Sequence, residues 1–345
     1  MRAPGPPRSP WQLLYGGAHR ARRAWWSRRA RRLPRPVVSV GNLHWGGAGK
    51  TPLTAALARW LRDQGRRPAI LSRGYGRRDR SVRIVSTGDG PLLGPLAAGD
   101  EPVALAAELP GVAVVVAPDR YEAGRHALER LSPAPGIFLL DDGFSHLRLR
   151  RDVDLLAFPA ADPFAGGRLP PGGRLREPLA AAARADAVLL TGAAADLFGA
   201  GGGAALAAAL RPHGFRGPGF DCALRQDAMR VDGEVDLGPG ARVVAVAGVA
   251  RPQTFFAAVR DMGFEVTEEI AFPDHHPYPE ESVARLARAL RANGAQALVT
   301  TPKDAVKLRG RLAAPLAELP LTAEPEAGFW IWLEERLAAA GGAER

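Results

Sequence analysis

Cysteine and lysine are almost missing from this 345-residue chain. The one cysteine, Cys222, excludes a disulfide framework and any metal site built from thiolates, and suits a reducing compartment. No run of 18 apolar residues occurs, so no segment is expected to span a bilayer. The N-terminus also lacks the uninterrupted apolar stretch of a signal peptide, so the chain is expected to stay on the cytoplasmic side. Acidic residues are absent from positions 1 to 40, where ten arginines stand: Arg2, Arg8, Arg20, Arg22, Arg23, Arg28, Arg29, Arg31, Arg32 and Arg35. These ten account for the whole formal net charge of +10, because the remaining 305 residues hold 36 basic and 36 acidic side chains. A body that binds nucleic acid would spread its cations over a working face, so the local excess points instead to a basic segment on a neutral, enzyme-sized chain. At 46% hydrophobic residues, disorder is excluded and the length fits about two domains of roughly 150 residues.

Lysine scarcity is informative in another way. Of 46 basic residues 43 are arginine, and only Lys50, Lys303 and Lys307 are lysine. A drift that replaces lysine by arginine wherever either serves leaves those three as places where a compact ammonium, and not a broad guanidinium, is wanted.

Residues 10 to 33 set Trp11, Leu14, Tyr15, Ala18, Trp25 and Trp26 near one helical face, with arginines over the rest. That is the pattern of a helix lying in a membrane interface, aromatic rings at headgroup depth and cations toward anionic lipid. Pro34 and Pro36 end it. Strands are then expected in PVVSVGN (36–42) and at 68–72, 82–85, 112–117, 137–140, 153–157 and 187–190, with helices over 51–64, 101–109 and 120–131. Such alternation implies a mostly parallel sheet with helices on both faces. A low-information helix is expected over 193–211 and a hairpin turning at Asp232-Gly233. A second α/β block should carry strands near 243–247, 266–271 and 297–300, with helices near 252–262, 279–292 and 328–340. The expected organisation is a basic membrane-contacting segment over 1–35, a P-loop domain over 36–212, a linker with a hairpin over 213–240 and a smaller C-terminal α/β domain over 241–345.

The stretch VVSVGNLHWGGAGKTP, residues 37–52, runs a strand into Gly46, Gly47, Ala48 and Gly49 and opens a helix at Lys50 and Thr51. Backbone N–H groups and the helix dipole then converge on one anion site, as in a nucleotide-phosphate cradle. Lys50 would reach the β- and γ-phosphates and the Thr51 hydroxyl would bind Mg²⁺. The pattern departs from the strict P-loop at position 44, which is His where Gly is expected. In GIFLLDDGFSH a buried strand delivers Asp141 and Asp142 to the same sheet edge, where either could hold Mg²⁺ directly or through water. AGDEP places Asp100 and Glu101 at a helix start, which capping alone could explain. FPDHHPY, residues 272–278, suggests acid–base or metal chemistry, although three adjacent side chains cannot all face one ion. TTPKDAVK, residues 300–307, holds the other two lysines.

Together these stretches resemble the tetraacyldisaccharide 4′-kinase family, the lipid A 4′-kinases, in order and spacing: GNLHWGGAGKTP, LSRGYGR (71–77), GDEP, VAPDRYEAG (116–124), DDGF, PPGGRLREP (170–178), AGVARPQTFF (247–256), FPDHH and TTPKDAVK. The resemblance implies a P-loop NTPase-like α/β fold. It also implies transfer of the ATP γ-phosphate to the 4′-hydroxyl of a tetraacylated glucosamine disaccharide 1-phosphate, giving lipid IVA at the cytoplasmic face of the inner membrane. Carried over by motif, Lys50 and Thr51 serve the phosphates and Mg²⁺, Asp141, Asp142 and Glu101 form the metal-binding acids, and Asp100 takes the hydroxyl proton assisted by His275. His276 follows as the more variable position. Arg174 or Arg176, together with Asn42, would contact substrate or nucleotide phosphate. Ser145, where Gln is common, and Pro302, where Glu is common, depart from the family pattern. The expected partners are the lipid substrate and an anionic membrane surface, with no nucleic acid and no obligate protein partner. A membrane-associated P-loop ATPase switch is the competing reading; it leaves AGDEP, FPDHH and the second block without a role.

Overall fold

A computed structural model of the chain describes residues 17, 25–26, 28–192, 201–232 and 237–342. Eight strands, β1 (Val37–Gly41), β2 (Pro68–Ser72), β3 (Arg83–Ser86), β4 (Ala113–Val116), β5 (Ile137–Leu140), β6 (Val153–Pro159), β7 (Ala187–Thr191) and β8 (Gly219–Gln226), build one sheet. A second contains β9 (Arg230–Val231), β10 (Arg242–Ala247), β11 (Glu265–Ala271), β12 (Ala297–Thr300) and β13 (Leu316–Glu318). The last strand, β14 (Leu321–Pro325), returns to the first sheet, whose order is β14-β8-β7-β6-β1-β5-β2-β4-β3. Its seven inner strands are parallel, and β3 and β14 cap its edges antiparallel. Strands β1, β2, β4, β5, β6 and β7 are buried at every position, so their continuous apolar runs suit a sheet covered on both faces. Val38, Val40 and Leu139 meet Leu53, Leu57 and Leu61 of the helix Lys50–Asp63 on one face. Val37, Phe138 and Leu140 meet Leu71, Ala123 and Ala127 on the other. β1 lies between β5 and β6, so the loops after β1 and β5 open side by side.

The expected boundaries need correction at two places. β8 lies inside the segment taken as linker, yet it pairs parallel with β7 and antiparallel with β14. The helix Ala327–Gly342, expected in the C-terminal domain, buries Phe329, Leu333 and Leu337 in the same core as Leu53 and Leu57, and Trp330 stacks on Trp60 with centroids 5.2 Å apart. Only Leu319 and Pro320 separate β13 from β14. With so short a crossing, nothing in the composition marks the point where the chain leaves the second sheet.

β9 pairs antiparallel with β13, while Gly233 of the turn expected at Asp232-Gly233 and positions 193–200 of the expected low-information helix lie outside the described residues; the helix Gly202–Leu210 covers most of the rest. Most of the expected interfacial helix also lies outside them. Among the described residues no helix is long and apolar enough to cross a membrane. Leu333→Ala should lower stability by about 3 kcal/mol, the cost of a buried Leu truncation. Urea unfolding of the full chain checks this; a loss below about 1 kcal/mol would mean that the last helix is only loosely docked on the first sheet.

Candidate active site

β1 ends at Gly41, and the chain passes through the loop to Gly49, whose φ of 68° starts the helix at Lys50. A side chain at 49 would crowd Leu224 and Thr191 at 3.2 and 3.3 Å besides resisting that φ, so glycine is required there. The first turn of the helix carries no acid and no side-chain cap, which leaves its N-terminus suited to an anion. His44 is buried: burial pushes its imidazole down to about 4, and the neutral ring donates Nε2–H to the Pro163 carbonyl at 2.5 Å.

The loop is also clamped from the side. Trp45 N–H donates to the Arg174 carbonyl at 2.8 Å and Arg176 N–H to the Leu43 carbonyl at 2.7 Å, a short antiparallel pairing that brings the GGRLREP loop against the cradle. It carries Arg176 into the site, with its guanidinium 2.9 Å from Asp142 Oδ2 and facing the Trp45 ring. Arg174 instead turns outward to Asp162 at 2.5 Å. Asn42 is buried at the end of β1, with neither Oδ1 nor Nδ2 hydrogen-bonded among the described residues.

The adjacent acids after β5 diverge. Asp141 is buried, 3.5 Å from the Thr51 hydroxyl and 3.4 Å from that of Thr54. Burial, with Glu101 and Asp142 nearby, pushes its carboxyl up to about 7. Asp142, at φ 51°, faces Lys50 at 3.6 Å and Arg176, and these cations overcome burial to hold it below the usual carboxylate range. The oxygen donors around Asp141 suit a hard cation, and a buried carboxyl crowded by two further acids is the electrostatic setting such a cation would relieve. Among the described residues no three His, Cys, Asp or Glu groups form a closed metal site. Mg²⁺ needs none, since it is commonly held by one or two carboxylates plus phosphate oxygens.

Asp100 begins the helix Asp100–Glu108 after Gly99 at φ 93°, where a Cβ would come within 3.1 Å of the Gly74 backbone. That close approach sets the ring of Tyr75 4.8 Å from that of His275. His275 Nδ1 lies 3.1 Å from both oxygens of Asp100, which is only 7% exposed. Lys307 Nζ lies 3.3 Å from Asp100 and 2.9 Å from the fully buried Asp304. Lys303 Nζ is 2.7 Å from Asp274, 3.2 Å from His275 Nε2 and 3.7 Å from Glu101. Burial works against the charge of Asp100, but the His275 hydrogen bond and both lysines bring its carboxyl down to about 2. The same hydrogen bond raises His275 against the burial of its ring.

All three lysines of the chain therefore sit at this site. His276 points elsewhere, stacked on Phe272 and 2.8 Å from Ser282 Oγ. Ser145 hydrogen-bonds Glu177 at 2.6 Å, and Pro302 occupies the first turn of the helix Pro302–Leu308, capped by Thr301. Sequence reading assigned nothing to Arg120, which is buried beside Asp141 and Asp142 and drawn down to about 10, by burial first. Its signal was an arginine inside a quoted motif, indistinguishable by composition from 42 others.

The unfolded Asp100 carboxyl titrates near 3.8 and the folded one near 2, so between those values the unfolded chain holds the extra proton. The pairing thus contributes full stability above about pH 4 and loses it as pH falls toward about 2. His275 has the opposite sign: its contribution is present below 6.5 and is lost as pH rises through its folded value. Asp100→Asn should flatten the first dependence in urea titrations at stepped pH; an unaltered slope would remove the pair as its source.

Comparison with known proteins fits this geometry. The model of the family Tetraacyldisaccharide-1-P 4′-kinase matches residues 8–338. The tetraacyldisaccharide 4′-kinase of Pelobacter propionicus is 42% identical over 316 residues, covering 87% of this chain and 82% of that protein. Its counterpart in Geobacter metallireducens is 45% identical over 293 residues, covering 81% and 80%. Among solved structures, the "apo" form of LpxK from Aquifex aeolicus in complex with ATP superposes with a TM-score of 0.73 at 32% identity, over 95% of this chain and 97% of that one. With likeness running through nearly the whole length in sequence and in fold, this chain belongs to the tetraacyldisaccharide 4′-kinase family.

Proposed function

We propose that the chain transfers the γ-phosphate of ATP to the 4′-hydroxyl of a tetraacylated glucosamine disaccharide 1-phosphate. The Asp100–His275 pair carries the reading, because it sets a charged, oriented acceptor for a hydroxyl proton next to the P-loop acids, with Glu101 between them. Phosphoryl transfer is mainly positioning and charge stabilisation. The uncapped helix start and Lys50 hold the phosphates. Thr51 and Asp141 would hold Mg²⁺, directly or through water, with Glu101 the adjacent acid; Asp142 instead tethers Lys50 and Arg176. When bound, the ion neutralises charge on the β- and γ-phosphate oxygens.

Asp100 orients the 4′-hydroxyl as its oxygen forms a bond to the γ-phosphorus and the bond to the β-phosphate oxygen breaks, and it then takes the hydroxyl proton. A carboxylate at about 2 is a weak base for an alcohol, so the proton leaves late, once the new bond has acidified the hydroxyl. Asp100→Ala should depress kcat far more than it weakens ATP binding, read by steady-state kinetics with the disaccharide 1-phosphate and by nucleotide titration. Unchanged kcat removes Asp100 from this role; ATP hydrolysis by the parent chain without a 4′-phosphorylated lipid would instead favour an ATPase switch.

The N-terminal segment is assigned to an anionic bilayer at the cytoplasmic face of the inner membrane, each free arginine near the surface contributing about 1 kcal/mol. Not all ten arginines are free. Arg31 pairs with Asp119 and Glu122, and Arg32 with Asp152. Leu33 is buried against Gly124, so it belongs to the body. Deleting residues 1–27 should therefore weaken sedimentation with phosphatidylglycerol vesicles while leaving nucleotide affinity intact. Equal partitioning of the truncated and full chains would remove the segment from membrane attachment.

A further inference from the structure

Both ring nitrogens of His275 have fixed neighbours, and those neighbours differ in kind. Nδ1 faces the two oxygens of Asp100 at 3.1 Å, and Nε2 faces the ammonium of Lys303 at 3.2 Å. An ammonium carries three donors and no acceptor, and a carboxylate carries acceptors only. Only one form of the imidazole satisfies both contacts: a lone pair on Nε2 accepting from Lys303, and a proton on Nδ1 donated to Asp100. The opposite tautomer would set lone pair against carboxylate and proton against ammonium, and the imidazolium would keep the second clash.

We propose that Lys303 is a positioning residue of the phosphoryl-transfer site, fixing His275 in its Nδ1–H tautomer so that the ring donates to Asp100 and aims that carboxylate at the acceptor hydroxyl. The proposal rests on the kinase reading and extends it to a residue that acts through His275. Lys303 is itself held by Asp274 at 2.7 Å and Glu101 at 3.7 Å. Lys307 braces the other end, spanning Asp100 and Asp304, whose second oxygen accepts from Gly248 N–H at 2.8 Å. His275 N–H in turn donates to the Gly248 carbonyl at 3.3 Å, and the ring is presented from a backbone φ of 61°, unusual outside glycine. One loop residue, Gly248, thus anchors both Asp304 and His275.

The chemistry also accounts for lysine. Lys303 serves Asp274, His275 and Glu101 in three directions from one atom, which a planar guanidinium fork cannot reproduce. In a chain where 43 of 46 basic positions are arginine, retention of lysine here follows from that geometry.

The test uses the full chain with ¹⁵N-labelled histidine, the His275 signals being assigned by their loss in His275→Gln. Wild-type protein should show an unprotonated Nε2 and a protonated Nδ1. Lys303→Met should lose that preference, and its kcat for the lipid disaccharide should fall about 10²-fold, as expected for a displaced reacting group, with KM for ATP near the wild-type value. Lys303→Arg, which keeps the charge, should recover little of kcat. A proton on Nε2 in the wild type at about pH 8, whether in the neutral ring or in the imidazolium, overturns the proposal, as does a Lys303→Met variant with wild-type kcat. If Lys303→Met does not fold, the wild-type tautomer and the Lys303→Arg kcat still decide. A wild type with the expected tautomer but no 4′-phosphorylated product would overturn the proposed function instead, leaving the tautomer assignment in place.

Discussion

Burying a carboxylate at a junction between two sheets costs several kcal/mol unless cations and donors meet it there. Besides the Glu101 N–H of its own helix, Asp100 is met by His275 after β11 and by Lys307 from the helix after β12, with the charge of Lys303 on that same helix close by, so its cations come from the other side of the junction. The first unit brings the acid and the second brings the counter-charges. Neither is electrostatically complete alone, and their apposition assembles the end of the site proposed to take the acceptor. Donors and acceptors alternate along the array from Asp304 through Lys307, Asp100, His275 and Lys303 to Asp274, so removing an inner member leaves a neighbour short of a partner.

Two carboxyls in one site are pushed in opposite directions. Asp141 rises to about 7 because burial is compounded by Glu101 and Asp142, while Asp100 drops to about 2 because cations surround it. Divergence of this kind separates roles between chemically identical groups. Asp141 is short of positive charge, the condition of a residue that shares a cation with phosphate. Asp100 already has its partners and stays ionised, as the proposed acceptor of the hydroxyl proton must. Glu101 stands between them, 3.7 Å from Lys303 on one side and raising Asp141 on the other, so it couples the two ends electrostatically.

The positions of β1, β2, β4, β5, β6 and β7 were legible because fully buried parallel strands read as unbroken apolar runs, and the P-loop because glycines, Lys50 and Thr51 must be contiguous to cradle a phosphate; the half-exposed β8 has no such run. What was not legible depends on contacts distant in sequence. β14 and the last helix return to the first core across two residues, and no local pattern encodes which sheet a strand joins. Asp141 and Asp142 are equivalent on paper; the left-handed backbone at 142 turns one toward Lys50 and Arg176 and leaves the other against Thr51 and Thr54. The lysines of TTPKDAVK stood out by rarity alone, and only folding brings them to Asp100 over a separation of about 200 residues.

The departure at position 44 has its own logic. Where a strict P-loop has glycine, this chain buries an imidazole edge-on to Phe158, hydrogen-bonded to Pro163. At neutral pH a ring held down at about 4 carries no charge, so it adds nothing repulsive beside Lys50 and can serve as a wedge. The wedge ties the cradle to the 160s loop, whose continuation pairs with residues 43 to 45 and delivers Arg176 to Asp142. Glycine at 44 would keep the cradle's backbone but lose that tether. The histidine thus joins the phosphate cradle to the loop that supplies its flanking arginine, a coupling that a bare glycine turn has no side chain to make.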